Sequence, residues 1–142
     1  MKKKIALVLF CFIILDFFSQ EVEAIESNYN ETQQEDQIYT AVDESPEFPG
    51  GSKEMFSFLA KNMHYPIAAI ENEIEGKNYV RFVVDKLGNI MNVEIARGIA
   101  GCPECDQESL RIVRAMPKWK PAMIAGKPVS SLFHLPITFS LK

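Results

Sequence analysis

The sequence predicts an α+β fold in which a small antiparallel sheet of about three strands carries two or three helices packed on one face. Two changes of pattern lead to this prediction. Apolar residues recur at helical spacing in the stretches 53–73 and 106–116, whereas they alternate with polar residues in the stretches 76–96 and 129–141. Because an amphipathic helix and a half-buried strand each need an apolar partner surface, the helices are expected to cover one face of the sheet.

Three helices are predicted from capping residues and from the prolines that end helices. The first is expected at residues 53–62 with Ser52 as its N-cap, and the second, short helix at residues 67–73. The third is expected to be capped by Asp106 and to end at Pro117, since proline interrupts the helical hydrogen-bond pattern.

The strands are predicted from alternation with a period of two. A strand opens at Gly76, a turn follows at residues 85–89, and a second strand at residues 90–96 completes a β-hairpin. The last strand is expected at residues 129–141. Pro136 cannot donate a ladder hydrogen bond, so it predicts that this last strand lies at a sheet edge or contains a bulge.

The N-terminal part of the chain has the pattern of an export signal. Three lysines at positions 2–4 precede an apolar stretch at residues 5–18, which is shorter than the roughly 20 residues that a membrane-spanning helix needs. We therefore expect residues 1–24 to be a signal peptide cleaved after Ala24, with an uncleaved anchor in the inner membrane as the alternative. Residues 25–45 are polar and acidic and are expected to form a flexible leader, followed by one folded domain at residues 46–142.

Composition and motifs exclude several classes of function. The chain has 142 residues and a formal net charge of -4 without a basic patch, which argues against a nucleic-acid partner. No catalytic triad, phosphate-binding loop or metal-ligand cluster is present in the sequence, so we expect no enzyme activity, no metal and no cofactor. The two histidines, His64 and His134, are interpreted as surface or interface residues.

Two cysteines, Cys102 and Cys105, remain once the signal segment with Cys11 is set aside. In an exported protein a structural disulfide that closes this loop is the first interpretation. A redox-active pair, a zinc site completed by the two histidines, and a pair of free thiols are the alternatives.

The order of short motifs between residues 45 and 142 resembles the TonB C-terminal domain family. The motifs that carry the resemblance are Phe48, Pro49, Gly50 and Gly51; Tyr65 and Pro66; Gly76 with Val80, Phe82, Val84 and Asp85; Gly88; Pro117, Lys118, Trp119, Lys120 and Pro121; Gly126, Lys127 and Pro128; and Leu135, Pro136, Ile137, Thr138 and Phe139. The chain departs from the family pattern at Asn78, at Ala122 and at the cysteine pair.

This resemblance implies a periplasmic protein-binding domain, and not an enzyme, with a role linked to transmembrane transport. Its partner would be a TonB-dependent outer-membrane transporter or another envelope protein, bound as an added strand along the C-terminal strand. Homodimerisation is an alternative use of that strand, and membrane association is expected only if the N-terminal segment is uncleaved. The competing hypothesis is a small envelope thiol-disulfide protein that uses the cysteine pair. The expected partner-binding residues are Phe133, Leu135, Ile137, Thr138, Phe139 and Leu141.

Overall fold

The computed structural model describes residues 37–142 of the chain. The predicted signal peptide at residues 1–24 and the leader up to residue 36 lie outside the described residues. Within residues 37–142 no helix is long and apolar enough to cross a bilayer. The elements in chain order are β1 (Ile38–Tyr39), α1 (Ser52–Asn62), α2 (Ile67–Glu71), β2 (Gly76–Val84), β3 (Ile90–Arg97), α3 (Pro103–Arg114), β4 (Ala122–Ile124) and β5 (Lys127–Phe139).

The predicted α+β class is confirmed, but the sheet is larger than predicted and is mixed. Its strands run in the order β1-β5-β2-β3, and β4 forms a hairpin with the beginning of β5. The long β2–β5 pair is antiparallel, whereas β1 pairs with β5 in parallel. The expectation of about three antiparallel strands was wrong because β1 and β4 have only two and three residues, too few to show an alternating pattern.

Two of the predicted helix caps were wrong. Helix α1 is preceded by Gly51, whose φ is 86°, and no side chain caps it, so Ser52 is its first helical residue. Helix α3 begins at Pro103, three residues before Asp106, and Cys102 is its N-cap. Proline is favoured at the first helical position because the N–H that it lacks would have no partner inside the helix.

The core lies between the sheet and the helices. Val80, Phe82 and Val84 point from β2 into this core, as the alternation predicted, and Ile112 and Val113 face them from α3. Among these apolar residues the Asn78 amide donates a hydrogen bond of 2.9 Å to the Ser109 hydroxyl. This polar pair is fully buried, so it connects β2 to α3 at one fixed position.

Residues ahead of Pro46, where the sequence predicted the domain to start, already pair with the sheet. After β1, the backbone N–H groups of Asp43 and Glu44 donate to the Met123 carbonyl in β4 at 3.0 and 3.1 Å. The ring of Phe48 is then buried against Trp119, with ring centroids 5.9 Å apart. Residues 37–48 therefore cross the β4–β5 hairpin before the chain enters α1.

Candidate functional site

Strand β5 has a long flank that no other strand within residues 37–142 covers. Ser131 lies opposite Val84 of β2 on one side and opposite Tyr39 of β1 on the other. From residue 132 to residue 139, β5 pairs with β2 alone among the described residues. We call the uncovered flank of residues 132–139 the β5 edge. Backbone groups on such a flank are available to an added strand.

The apolar residues expected to contact a partner mostly face the core. Leu135, Ile137 and Phe139 are buried, and Phe133 is half-buried beside them. Their side chains hold β5 on the helices, so a strand added in the sheet plane would meet their backbone more than their side chains. The alternation predicted from the sequence thus identifies the strand and its inner face.

The opposite face of β5 is exposed. It presents His134, Pro136 and Thr138, of which only Thr138 was among the predicted site residues. Leu141 lies beyond the end of β5, where its N–H donates to a carboxylate oxygen of Glu75. Period-two alternation also places His134 and Pro136 on the outer face, so the same signal identifies them.

Pro136 indicates which backbone groups face the open side. It lies opposite Tyr79, and the register of β2 with β5 is continuous through this pair. A proline fits an unbroken ladder only where its missing N–H would point away from the paired strand. Because successive residues of a strand direct their N–H groups to opposite sides, those of His134 and Thr138 are inferred to point outward with position 136.

The other long edge of the sheet, β3, is less regular. Its register with β2 is shifted between Tyr79 and Val80 and again between Arg81 and Val83. Asn92 in β3 also has a φ of 51°, in the left-handed region. Irregularities of this kind interrupt the row of hydrogen-bonding groups that strand addition requires. The β5 edge is therefore the better candidate for binding an extended segment.

Aromatic contacts support both ends of the β5 edge. Trp119 packs against Phe133 with ring centroids 5.1 Å apart and against Phe82 at 5.4 Å. At the other end Tyr65 meets Phe139 edge-on at 5.6 Å, and its hydroxyl donates to the Ile74 carbonyl. These contacts favour a strand that is already extended before a partner arrives, which reduces the ordering cost of binding.

Cys102 and Cys105 form a disulfide at the beginning of α3, as the first interpretation of the sequence expected. The two residues are 1 % and 0 % exposed and belong to the hydrophobic core. Thiol–disulfide exchange requires a thiolate to reach one of the sulfur atoms, and burial prevents this. Both sulfur atoms are bonded to each other and so are not thiolate ligands for zinc, which disfavours the zinc interpretation. Within residues 37–142 no group of three or more potential metal ligands was found.

His64 takes part in a polar cluster between the end of α1 and α3. Its backbone N–H donates to Glu108 at 2.7 Å, and the Arg111 guanidinium bridges Glu108 and the Asn62 carbonyl. The cluster lines a surface cavity of about 410 Å³. Because the Glu108 carboxylate and the Arg111 guanidinium already bond to each other, the cluster is a structural connection between helices.

This cluster gives the fold a dependence on pH. Burial alone would raise the pKa of Glu108, but hydrogen bonds from Arg111 and from the His64 N–H, together with the Arg111 charge, hold it below its ordinary value. A carboxyl group whose pKa is lowered by folding stabilises the fold above its unfolded pKa of about 4.3, and this contribution is lost as the pH falls through the folded pKa.

We expect Glu108→Gln to destabilise the domain by about 1 kcal/mol at pH 7, because the ion pair with half-exposed Arg111 is lost. The difference from the wild type should shrink as the pH falls through the lowered pKa of folded Glu108, since the wild-type carboxylate then becomes protonated as well. Urea unfolding at several pH values measures both. Glu104→Gln, at an exposed position on the same helix, is the control and should change stability by less than about 0.5 kcal/mol. A Glu108→Gln difference that is independent of pH would contradict the assignment.

Comparison with known proteins agrees with this geometry. The family model described as Gram-negative bacterial TonB protein C-terminal matches residues 61–141, which include α2, α3 and all the long strands. No curated protein and no solved structure matches the chain significantly. Domains of this family lie in the periplasm, are generally non-enzymatic and serve energy transduction to outer-membrane transporters. Since the match covers more than half of the sequence, the chain belongs to the TonB C-terminal domain family.

Proposed function

We propose that the β5 edge binds an extended periplasmic segment of a TonB-dependent outer-membrane transporter by strand addition. The observation that carries the proposal is the uncovered flank of residues 132–139 on a strand whose register with β2 is unbroken. Main-chain hydrogen bonds would supply most of the affinity, as they do in strand addition generally, and they do not depend on the sequence of the added segment. Side chains of the added strand would then meet His134, Pro136 and Thr138 on the outer face.

The cellular compartment of the domain follows from the same proposal. Residues 1–24 serve as a cleaved export signal, so that the mature chain enters the periplasm with the acidic residues 25–36 ahead of the domain. An uncleaved N-terminal segment would instead hold the domain at the inner membrane, facing the same compartment. Either arrangement brings the β5 edge into the compartment where transporters expose their N-terminal segments.

The test is capture of a transporter from an envelope extract by residues 25–142, with the β5 edge blocked in a variant. Thr138→Pro removes an N–H inferred to point outward while it leaves the β2–β5 ladder intact. Thr138→Val is the matched control, because it keeps the N–H and the branched shape. We expect the wild type and Thr138→Val to capture a TonB-dependent transporter and Thr138→Pro to lose at least about 90 % of it, equivalent to a tenfold loss of affinity.

Folding of the blocked variant is checked by the fluorescence of Trp119, the only tryptophan in the chain. If Thr138→Pro proves unstable, His134→Pro is a second blocking variant, because it also removes an N–H inferred to point outward. Equal capture by folded Thr138→Pro and by the wild type would reject strand addition at this edge.

A further inference from the structure

We infer that β1 is a displaceable occupant of the two β5 residues next to the β5 edge, so that an incoming partner strand that extends beyond residue 132 competes with Ile38 and Tyr39 for Ser130 and Ser131. The inference rests on the proposed function and adds its regulation. Displacement would extend the available flank from residues 132–139 down to Ser130 and Ser131, the two residues that β1 covers.

The geometry places β1 in line with the open flank. Ser131 has Val84 on one side and Tyr39 on the other, so β1 lies on the side of β5 that is open from residue 132 onward. After Tyr39 the chain turns away from β5, and Asp43 joins β4 through the Met123 carbonyl. A partner strand that pairs along residues 132–139 would therefore reach the end of β1 within the same row of hydrogen bonds.

Among residues 37–142, few interactions hold β1 in this position. Its ladder with β5 comprises two residue pairs, and the Ile38 side chain remains 45 % exposed. In the described part of the chain the Tyr39 hydroxyl donates to the nearby Gln37 side chain, and neither residue of β1 belongs to the hydrophobic core. Separation of β1 from β5 therefore exposes little apolar surface and is a local opening of low free energy.

The residues that follow β1 are held more firmly. Asp43 accepts a hydrogen bond from the Ala125 N–H at 2.8 Å, and both Asp43 and Glu44 donate to Met123. Phe48 is buried against Trp119. When β1 separates, it thus stays tethered within a few residues of its site, and it re-forms its pairs when the partner leaves. A tethered competitor reduces the apparent affinity for the partner to the intrinsic affinity multiplied by the fraction of molecules in which the flank is free.

The experiment uses the full mature chain and synthetic peptides that copy the TonB boxes of transporters from the host bacterium. In the double variant Ile38→Pro/Tyr39→Pro at least one N–H that faces β5 is lost, because successive strand residues point to opposite sides. We expect this variant to bind the peptides about three- to tenfold more tightly than the wild type, through relief of the competition. Ile38→Val keeps both N–H groups of β1 and a branched side chain, so this control should leave the affinity unchanged.

Hydrogen exchange supplies an independent readout. Addition of peptide to the wild type should increase exchange at the β1 amides while it protects residues 132–139 of β5. Unchanged affinity in the double variant, or retained β1 protection with bound peptide, overturns the inference while the proposed function stands. Binding that survives Thr138→Pro rejects strand addition itself, and the role of β1 is rejected with it.

Discussion

Gly88→Ala is expected to destabilise the domain by about 3–5 kcal/mol, enough to leave much of the chain unfolded under mild conditions. Gly88 has a φ of +87° in the β2–β3 turn, where an alanine is strained. A Cβ at this position would also lie 2.0 Å from the backbone carbonyl oxygen of Trp119. The Trp119 N–H donates to the Gly88 carbonyl at 2.9 Å, so the turn cannot move away without losing this bond.

Gly126→Ala separates the two causes of this loss. Gly126 has a φ of +73° in the β4–β5 turn, and a Cβ built there meets no atom within 4 Å. We expect this control to lose only the conformational part, about 1 kcal/mol. Urea unfolding followed by Trp119 fluorescence measures both variants. Equal losses at the two glycines would show that backbone strain, and not the approach of the turn to Trp119, determines the effect.

The hairpin and the helices were predictable because each produces a pattern within its own residues. Alternation from Gly76 to Ala96 predicted β2, β3 and the turn between them. Asp85 fixes that turn by accepting hydrogen bonds from the N–H groups of Leu87 and Asn89 at 2.9 and 2.8 Å. Such local chemistry is visible in sequence, and it places the turn glycine without knowledge of the tertiary fold.

The sheet order was not predictable in the same way, because it depends on contacts between distant residues. Alternation and Pro136 predicted that β5 would lie at a sheet edge or contain a bulge. In the sheet β5 lies between β1 and β2, and among residues 37–142 only its residues 132–139 pair with β2 alone. The sequence could not show that β1 covers Ser130 and Ser131 on that flank. Two strand residues at the end of a polar, acidic stretch have no detectable period, and their pairing depends on the position of β5.

The cap of α3 shows a third kind of limit. Asp106 is a common cap residue type, but Cys102 occupies the position because the disulfide and Pro103 already shape the first turn. The Cys102 sulfur accepts a hydrogen bond from the Cys105 N–H at 3.2 Å. A cap that depends on a covalent bond to a residue in the first turn of the helix cannot be recognised from capping preferences alone.

Trp119→Ala is expected to cost about 3–5 kcal/mol, as truncation of a large buried aromatic residue generally does. Trp119 is 4 % exposed, and its ring contacts those of Phe48, Phe82 and Phe133 edge-on. Its removal leaves a cavity between β2, β5 and the segment that precedes α1. Urea unfolding followed by circular dichroism measures the loss, since the variant has no tryptophan to report by fluorescence.

Trp119→Phe distinguishes loss of packing from loss of a hydrogen bond. The indole N–H is buried and has no hydrogen-bond partner within residues 37–142, so phenylalanine loses ring volume but no bond to the described residues. We therefore expect a cost of about 1–2 kcal/mol, well below that of alanine. Phe133 would remain supported, and peptide binding at the β5 edge should be nearly unchanged in Trp119→Phe. A loss as large as that of Trp119→Ala would mean that the N–H is essential and that packing of the ring is not the main contribution of Trp119.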